Sequence, residues 1–257
     1  MIIDTHAHYE DERFDEDRET VLRSLSEQGI GLVVDVGASI ESTKGAVQLS
    51  HAYDFVYAAV GVHPDGVEEL TPEHMDWLAE LAKDEKTVAI GEIGLDYFYE
   101  TPERQIQKKW FIEQLRLARK IHMPVIIHSR DAAQDTLEIM RAEHAEEMGG
   151  VIHCFSYSKE MAQIYMDMGF YLGIGGVVTF KNSKKLKEVV EMAPLERLVL
   201  ETDAPYLTPV PNRGKRNSSA QLPYVVDEIA RLKGISAEEV IAVTEQNARK
   251  MYRLEKA

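Results

Sequence analysis

The sequence has 257 residues, of which 44% are apolar and 28% are charged, and this composition is typical of folded proteins and excludes general disorder. The formal net charge of −15 argues against broad, non-specific binding to DNA or to anionic lipid, while a local basic groove remains compatible with it. The one cysteine, Cys154, cannot form an internal disulfide. The opening residues lack the basic and apolar regions of a signal peptide, and no stretch is apolar enough to span a bilayer, so we expect a soluble, cytoplasmic protein.

Short apolar runs recur along the chain, and each is followed by a polar turn and an amphipathic stretch. The runs are Ile2–Asp4, Gly31–Gly37, Phe55–Val62, Thr87–Gly94, Pro124–His128, Gly150–Phe155, Phe170–Gly176 and Arg197–Asp203. Such near-continuous runs are typical of parallel strands covered on both faces. Eight strand–helix units in a chain of this length predict an α/β fold, a (β/α)8 TIM barrel, as a single domain over residues 1–257. The alternative is an open doubly wound sheet, but no glycine-rich phosphate loop follows the first strand.

Capping signals mark several of the intervening segments as helices. Thr71-Pro72 and Thr101-Pro102 each place a capping residue before a proline, which predicts a helix that starts at the proline. A further helix is expected at about Gln221–Leu232. The capping-box pattern Ser236-Ala-Glu-Glu239 then opens the last predicted helix.

The chemically active side chains collect at the C-terminal ends of the apolar runs. These residues are His6, His8, His63, Glu92, His128, His153, Glu201 and Asp203. Barrel enzymes carry their active sites at that face of the sheet. Because side chains along a strand alternate between its two faces, His6 and His8 are expected to point to the same side. A site at this face is therefore predicted.

Imidazole and carboxylate groups in this arrangement predict a metal centre. Six candidate ligands are present: His6, His8, Glu92, His128, His153 and Asp203. Six exceed the needs of one tetrahedral site and suit two divalent ions that share a carboxylate. Taken singly, each residue has a simpler interpretation, because Glu92 can pair with an arginine and His153 can be a hydrogen-bonded core residue. Their coincidence at successive strand ends favours metal binding.

Other residues near these ends have less specific roles. Glu201 either orients a metal ligand from behind or forms an ion pair inside the barrel. His63 contacts substrate, accepts a proton, or caps the turn in which it lies. Arg213 is predicted to bind a phosphate group, since its guanidinium matches phosphate geometry. The aromatic run 97–99 either stacks nucleobases or packs a loop.

Six motifs along the chain resemble those of the TatD family of metal-dependent DNases, which are amidohydrolase-like barrels. The motifs are Asp4-Thr-His6-Ala-His8, Gly61-Val-His-Pro64, Gly91-Glu-Ile-Gly-Leu-Asp96, Val125-Ile-Ile-His-Ser-Arg130, His153-Cys-Phe-Ser156 and Glu201-Thr-Asp-Ala-Pro205. The resemblance implies two divalent ions, with Mg²⁺ or Mn²⁺ as the metal, and the imidazole and carboxylate ligands also suit Zn²⁺. It also implies that His6, His8 and Asp203 hold one ion, that His128 and His153 hold the second, and that Glu92 bridges the two.

The expected function is that of a divalent-metal-dependent hydrolase of ester bonds. By resemblance it is a deoxyribonuclease that trims single-stranded DNA from the 3′ end. Asp203 is the candidate catalytic residue that accepts a proton from the attacking water, because a terminal metal ligand can form a hydrogen bond with the nucleophile. The alternative is a metallohydrolase of carboxylic esters or amides such as D-aminoacyl-tRNA. A third hypothesis is a non-catalytic metal-binding barrel, which ligands at a barrel mouth with open positions argue against.

Overall fold

The computed structural model describes residues 1–254, and eight β-strands lie within them. The strands are β1 (Ile2–Ala7), β2 (Ile30–Val36), β3 (Val56–Val60), β4 (Thr87–Asp96), β5 (Val125–Arg130), β6 (Gly150–Ile152), β7 (Tyr171–Ile174) and β8 (Leu198–Leu200). Each falls within or overlaps one of the predicted apolar runs. In five of the eight, every residue is buried, which is what an apolar run covered on both faces predicts.

Nine α-helices occupy the segments between and after these strands in the part of the chain that the structure describes. They are α1 (Arg18–Ser24), α2 (Ile40–Ala52), α3 (Pro72–Leu81), α4 (Arg104–Ile121), α5 (Ala133–Ala142), α6 (Lys159–Asp167), α7 (Lys184–Met192), α8 (Leu222–Lys233) and α9 (Ala237–Met251). None of the described helices is long and apolar enough to cross a membrane.

Two of the predicted helix starts are confirmed and one is wrong. Pro72 is the first residue of α3 after Thr71, and the Ser236 side chain accepts a hydrogen bond from the Glu239 N–H at the start of α9. The helix predicted to start at Pro102 begins instead at Arg104. The Pro102 carbonyl accepts a hydrogen bond of 2.9 Å from the Gln107 side chain, so it belongs to the turn that precedes α4.

The eight strands form one sheet in the order β1 to β8. Every recorded strand pair is parallel, and Ala7 at the end of β1 forms a parallel bridge with Ala204, just beyond β8. Strands in strict chain order, with a helix after each, confirm the predicted (β/α)8 barrel. The alternative, a doubly wound sheet, requires a strand order that reverses direction, so the observed order excludes it.

The described chain divides into two compact units. The first contains Met1–Asp35, Cys154–Asp167 and the chain from Tyr171 onward, and the second contains Val36–His153 with Met168–Phe170. The first unit therefore includes β1, β7 and β8, and the second includes β3 to β6. The single domain over residues 1–257 stays a prediction, and its last three residues lie outside the described part of the chain.

Strand β4 of the second unit requires a glycine next to the candidate ligand His128. Gly94 has φ +149°, and a Cβ at this position would overlap the carbonyl oxygen of His128 on β5. Gly94→Ala is therefore expected to lower the free energy of unfolding by more than about 3 kcal/mol. Chemical denaturation measures this loss. Gly149→Ala is the control, because Gly149 has φ +68° and no atom within 4 Å of the added Cβ, so only the left-handed backbone costs about 1–2 kcal/mol. Equal losses in the two variants would contradict the packing argument.

Candidate metal centres

The first cluster of candidate ligands lies in the first unit and consists of His6, His8 and Asp203. The Nε2 atoms of His6 and His8 are 3.1 Å apart. The Asp203 Oδ1 atom is 3.4 Å from the His8 Nε2 and 3.9 Å from the His6 Nε2. His6 and His8 are buried, whereas the Asp203 side chain is partly exposed. Three donor atoms thus converge at a point that solvent can reach.

The spacing of these donor atoms fits a single divalent ion. Two ligand atoms each about 2.1 Å from an ion are separated by about 3.0 Å at octahedral angles and about 3.4 Å at tetrahedral angles. The three measured separations lie at or slightly above this range. Two imidazoles and one carboxylate are also a donor set that Zn²⁺ and Mn²⁺ accept. The chain can therefore hold a divalent ion here with a small inward movement of Asp203.

A buried hydrogen-bond network fixes the turn that carries Asp203 against β1. The Asp203 N–H donates to the His6 carbonyl at 2.9 Å. The Asp4 carboxylate, also on β1, accepts hydrogen bonds from the hydroxyls of Thr202 at 2.7 Å and Ser219 at 2.6 Å. Burial raises the pKa of Asp4 to about 7, although these hydrogen bonds oppose the shift. Asp203 has φ +58°, a conformation that Asp and Asn adopt more readily than other side chains.

Two buried carboxyl groups beside His8 escaped the sequence analysis. The Glu10 Oε1 atom is 3.7 Å from the His8 Nδ1, and the Asp35 carboxylate accepts a 2.6 Å hydrogen bond from the Tyr9 N–H. Burial alone would lower the pKa of His8, but hydrogen bonds to Asp203 and Glu10 outweigh it and raise that pKa well above its usual value. Burial and the neighbouring Glu10 raise the pKa of Asp35. Neither residue gave a signal in the sequence, because Glu10 lies in a turn beyond the end of β1 and Asp35 lies in an apolar run.

The second cluster lies in the second unit and is centred on the buried carboxylate of Glu92. The Glu92 Oε1 atom is 2.7 Å from the His128 Nδ1, 3.8 Å from the His153 Nε2 and 4.0 Å from the His63 Nε2. The rings of His63 and His128 meet edge to face, with centroids 4.2 Å apart. Three imidazoles therefore surround one carboxylate oxygen, which is again a donor set for a divalent ion.

His63 lies among the candidate metal ligands, a position that the sequence analysis did not assign to it. His63, Glu92 and His128 form the group whose ligand atoms all lie within 4.8 Å of one another. His153, expected as the partner of His128, approaches Glu92 while its ring centroid is 6.4 Å from that of His128. His63 also bonds to Asp65 at 2.6 Å through its Nδ1 atom, and the Asp65 N–H is 3.3 Å from the same nitrogen. Asp65 thus holds the His63 ring through its Nδ1 atom, and the Nε2 atom faces Glu92.

Asp96 is a further residue that the sequence analysis gave no role. It ends β4, and its Oδ2 atom is 3.2 Å from the His128 Nε2. Burial alone would raise the pKa of Asp96, but the hydrogen bond with His128 and one from the Phe98 N–H outweigh it and lower that pKa. Burial alone would lower the pKa of His128, but hydrogen bonds to Asp96 and Glu92 raise it to about 9. His128 thus holds its proton between two carboxylates at neutral pH.

Metal binding at the second cluster is expected to compete with this proton. Below pH 9 a divalent ion must displace it, so the apparent affinity should rise about tenfold per pH unit from pH 6.5 to 9. Calorimetric titration with Mn²⁺ in buffers of different ionisation enthalpy measures both the affinity and the proton released. Asp96→Asn removes one acceptor, so in that variant the rise should end at a lower pH. An affinity that does not change over this range would contradict the prediction.

Glu201 and Arg213 lie in the first unit. The Glu201 Oε1 atom accepts a 2.6 Å hydrogen bond from the Cys154 N–H, and a Cβ at Gly173 would collide with the same carboxylate. The Arg213 guanidinium lies 4.3 Å from the centre of the Phe180 ring. Two other cations of the first unit are engaged, since Lys187 pairs with Glu228 at 2.9 Å and Arg216 with Asp17 at 2.6 Å. The roles predicted for Glu201 and Arg213 stay predictions.

The chain is similar to known proteins over nearly its whole length. The family model of TatD-related DNases matches residues 3–253. An uncharacterised metal-dependent hydrolase, YabD of Bacillus subtilis, is 44% identical over 254 residues, which are 99% of this chain and 100% of YabD. The 3′-5′ ssDNA/RNA exonuclease TatD of Salmonella typhimurium is 32% identical over 93% of this chain and 94% of its own. The crystal structure of YjjV, a TatD homologue from Escherichia coli K12, matches 99% of this chain and 98% of its own with a TM-score of 0.92 and 30% identity.

Proposed function

The chain belongs to the TatD-related DNase family of metal-dependent hydrolases, and on this premise we propose that it is a divalent-metal-dependent exonuclease that trims single-stranded DNA from the 3′ end. The observation that carries the proposal is the pair of imidazole–carboxylate clusters at the C-terminal ends of parallel strands. The exonuclease name of the Salmonella relative supports the substrate and the direction of attack. Hydrolysis of a phosphodiester suits this donor chemistry, because divalent ions neutralise charge on phosphoryl oxygens.

We propose two divalent ions, one held in each cluster. His6, His8 and Asp203 would hold the first, and Glu92, His128 and His153 the second, with His63 positioned to contribute. When bound, such ions lower the pKa of water towards neutrality and stabilise charge that develops on phosphoryl oxygens. Mg²⁺ and Mn²⁺ are the ions proposed for turnover, and Zn²⁺ also suits the imidazole ligands.

The chain's own residues supply proton acceptance and orientation. Asp203 is the proposed acceptor of the proton that leaves the attacking water, because its carboxylate is the partly exposed member of the first cluster. The Glu10 carboxylate lies beside the Nδ1 atom of His8, and the Asp96 carboxylate lies beside the Nε2 atom of His128. Each carboxylate thereby orients the ring that it contacts. A cytoplasmic location is part of the same proposal, and a lone cysteine is compatible with a reducing compartment.

Two labelled strands of the same sequence test the activity and its direction. With Mg²⁺ or Mn²⁺, trimming from the 3′ end yields a descending ladder from a 5′-labelled strand and a labelled mononucleotide from a 3′-labelled strand. Chelation of the metal is expected to stop both reactions, and the matching duplex is expected to be cut more slowly. A folded, metal-loaded protein that leaves both strands intact would overturn the proposal. Hydrolysis of D-aminoacyl-tRNA by that protein would then favour a carboxylic-ester hydrolase.

A further inference from the structure

Two aromatic side chains project from the loop that directly follows β4. Phe98 and Tyr99 are 55% and 57% exposed, and their rings meet edge to face with centroids 4.9 Å apart. They are the two most exposed aromatic side chains among the exposed apolar residues of the described chain. Exposed adjacent rings of this kind cost free energy in water, and covering them with another flat group recovers it.

An arginine side chain lies over the Phe98 ring and near the Tyr99 ring. The Arg130 guanidinium carbon is 3.7 Å from the centre of the Phe98 ring and 5.7 Å from that of Tyr99. Within residues 1–254 no carboxylate lies within 4.0 Å of its nitrogen atoms, whereas Arg116, Arg216 and Arg231 are all paired with acids. Stacking of this kind occupies the face of a guanidinium and leaves its N–H edge available for a phosphate.

The preceding aromatic residue, Tyr97, anchors this loop. Its hydroxyl donates a 2.7 Å hydrogen bond to Asp135, and Asp135 also pairs with Lys108 at 2.7 Å. The Arg104 guanidinium lies 4.3 Å from the centre of the Tyr97 ring. Tyr97 is therefore tied to α4 and α5, and two further cations stand beside it. The base of the loop is fixed while Phe98 and Tyr99 face solvent.

The loop is joined to the second cluster by two hydrogen bonds. The Phe98 N–H donates to the Asp96 Oδ1 at 2.9 Å, and the Asp96 Oδ2 is 3.2 Å from the His128 Nε2. In the register of β4 and β5, Asp96 pairs with Arg130, two residues beyond His128. The exposed rings thus follow directly after the strand that carries Glu92, next to the end of the strand that carries His128.

We propose that Phe98, Tyr99 and Arg130 form a clamp that stacks unpaired nucleobases of the substrate and contacts the adjoining phosphate. Unpaired bases are the occupant that fits, because they offer flat faces to the two rings while their backbone offers negative charge to Arg130 and Arg104. Bases inside a duplex have both faces covered by their neighbours, so the clamp selects single strands. This inference rests on the proposed nuclease function and names the part of the chain that recognises the substrate.

The clamp is tested by combining removal of nucleobases from the DNA with removal of the Phe98 and Tyr99 rings from the protein. The metal-loaded wild type and Phe98→Ala/Tyr99→Ala are each given a single-stranded oligonucleotide and the same strand with abasic sites at its last two 3′ positions. The double variant is expected to lose about tenfold to a hundredfold in kcat/KM on the normal strand and less than about threefold on the abasic strand. Fluorescence anisotropy with metal chelated should give the same pattern for affinity.

Arg130→Gln is expected to weaken the salt dependence of binding. The slope of the logarithm of the binding constant against the logarithm of the salt concentration should decrease in magnitude by about 0.7.

Tyr224→Ala is the matched control, because Tyr224 is an exposed aromatic residue on α8 of the first unit; it should leave both strands unaffected. Equal losses on the normal and abasic strands, or no loss on either, would overturn the clamp. A wild type that binds the strands without cutting them would overturn the nuclease proposal alone, and the same comparison of affinities would then decide the clamp. A wild type that neither binds nor cuts would overturn both.

Discussion

Replacement of Glu92 by glutamine is expected to lower the rate of hydrolysis by about a thousandfold and to remove a divalent ion from the second cluster. Glu92 is buried, and three imidazole rings surround one of its carboxylate oxygens. Glutamine keeps the shape but removes the negative charge, and its amide nitrogen offers hydrogen atoms where an ion needs a lone pair. The loss therefore falls on metal binding and on catalysis, with the fold retained.

Metal content by mass spectrometry and kcat on single-stranded DNA measure the two effects of Glu92→Gln. Circular dichroism checks that the variant is folded. Glu146→Gln is the control, because Glu146 is an exposed glutamate of the same unit that lies outside the second cluster and pairs with His144 at 3.5 Å. Full activity together with full metal content in Glu92→Gln would remove Glu92 from the metal centre.

The alternation of side chains along β1 was sufficient to predict that the rings of His6 and His8 converge. His6 lies in β1 and His8 directly follows the strand, and their Nε2 atoms are 3.1 Å apart. This inference needs only local geometry, because a strand repeats every two residues. The strand order followed in the same way from the recurrence of apolar runs, since sequential βα units place neighbouring strands side by side.

The residues that hold the ligand rings from behind were not predictable in this way. Asp96 reaches His128 because the register of β4 against β5 places the ends of both strands together, and one sequence does not reveal that register. Gln114 is a similar case: its amide bonds to both the N–H and the carbonyl of Val62, 52 residues away. Such contacts depend on tertiary packing and leave no periodic signal in the sequence.

His63 shows how a local signal can be correct and still incomplete. A capping role in its turn was one of two interpretations, and the Asp65 N–H does approach the His63 Nδ1 at 3.3 Å. The opposite nitrogen nevertheless lies 4.0 Å from Glu92, within the second cluster. The two interpretations are therefore compatible, because one ring nitrogen serves the turn and the other faces the ligands.

Replacement of Asp203 by asparagine is expected to lower kcat by about a hundredfold to ten-thousandfold while the fold is retained. Asparagine tolerates the left-handed backbone of this position, φ +58°, as well as aspartate does. It keeps one carbonyl oxygen for an ion but loses the negative charge and the ability to accept a proton. Asp131→Asn is a matched control, because Asp131 has φ +53° and is exposed, outside both clusters; its activity should not change.

A titration with excess Mn²⁺ separates the two roles of Asp203. As a ligand, Asp203 stands 3.4 Å from the His8 Nε2, so its loss weakens metal binding, and a high concentration of Mn²⁺ restores activity. If Asp203 is the proton acceptor, the loss of kcat persists when the metal sites are fully occupied, because added metal does not replace the missing base. We expect metal content to recover under excess Mn²⁺ and kcat to stay at least a hundredfold below that of the wild type. Full recovery of kcat would reduce Asp203 to a metal ligand and leave the proton to another group.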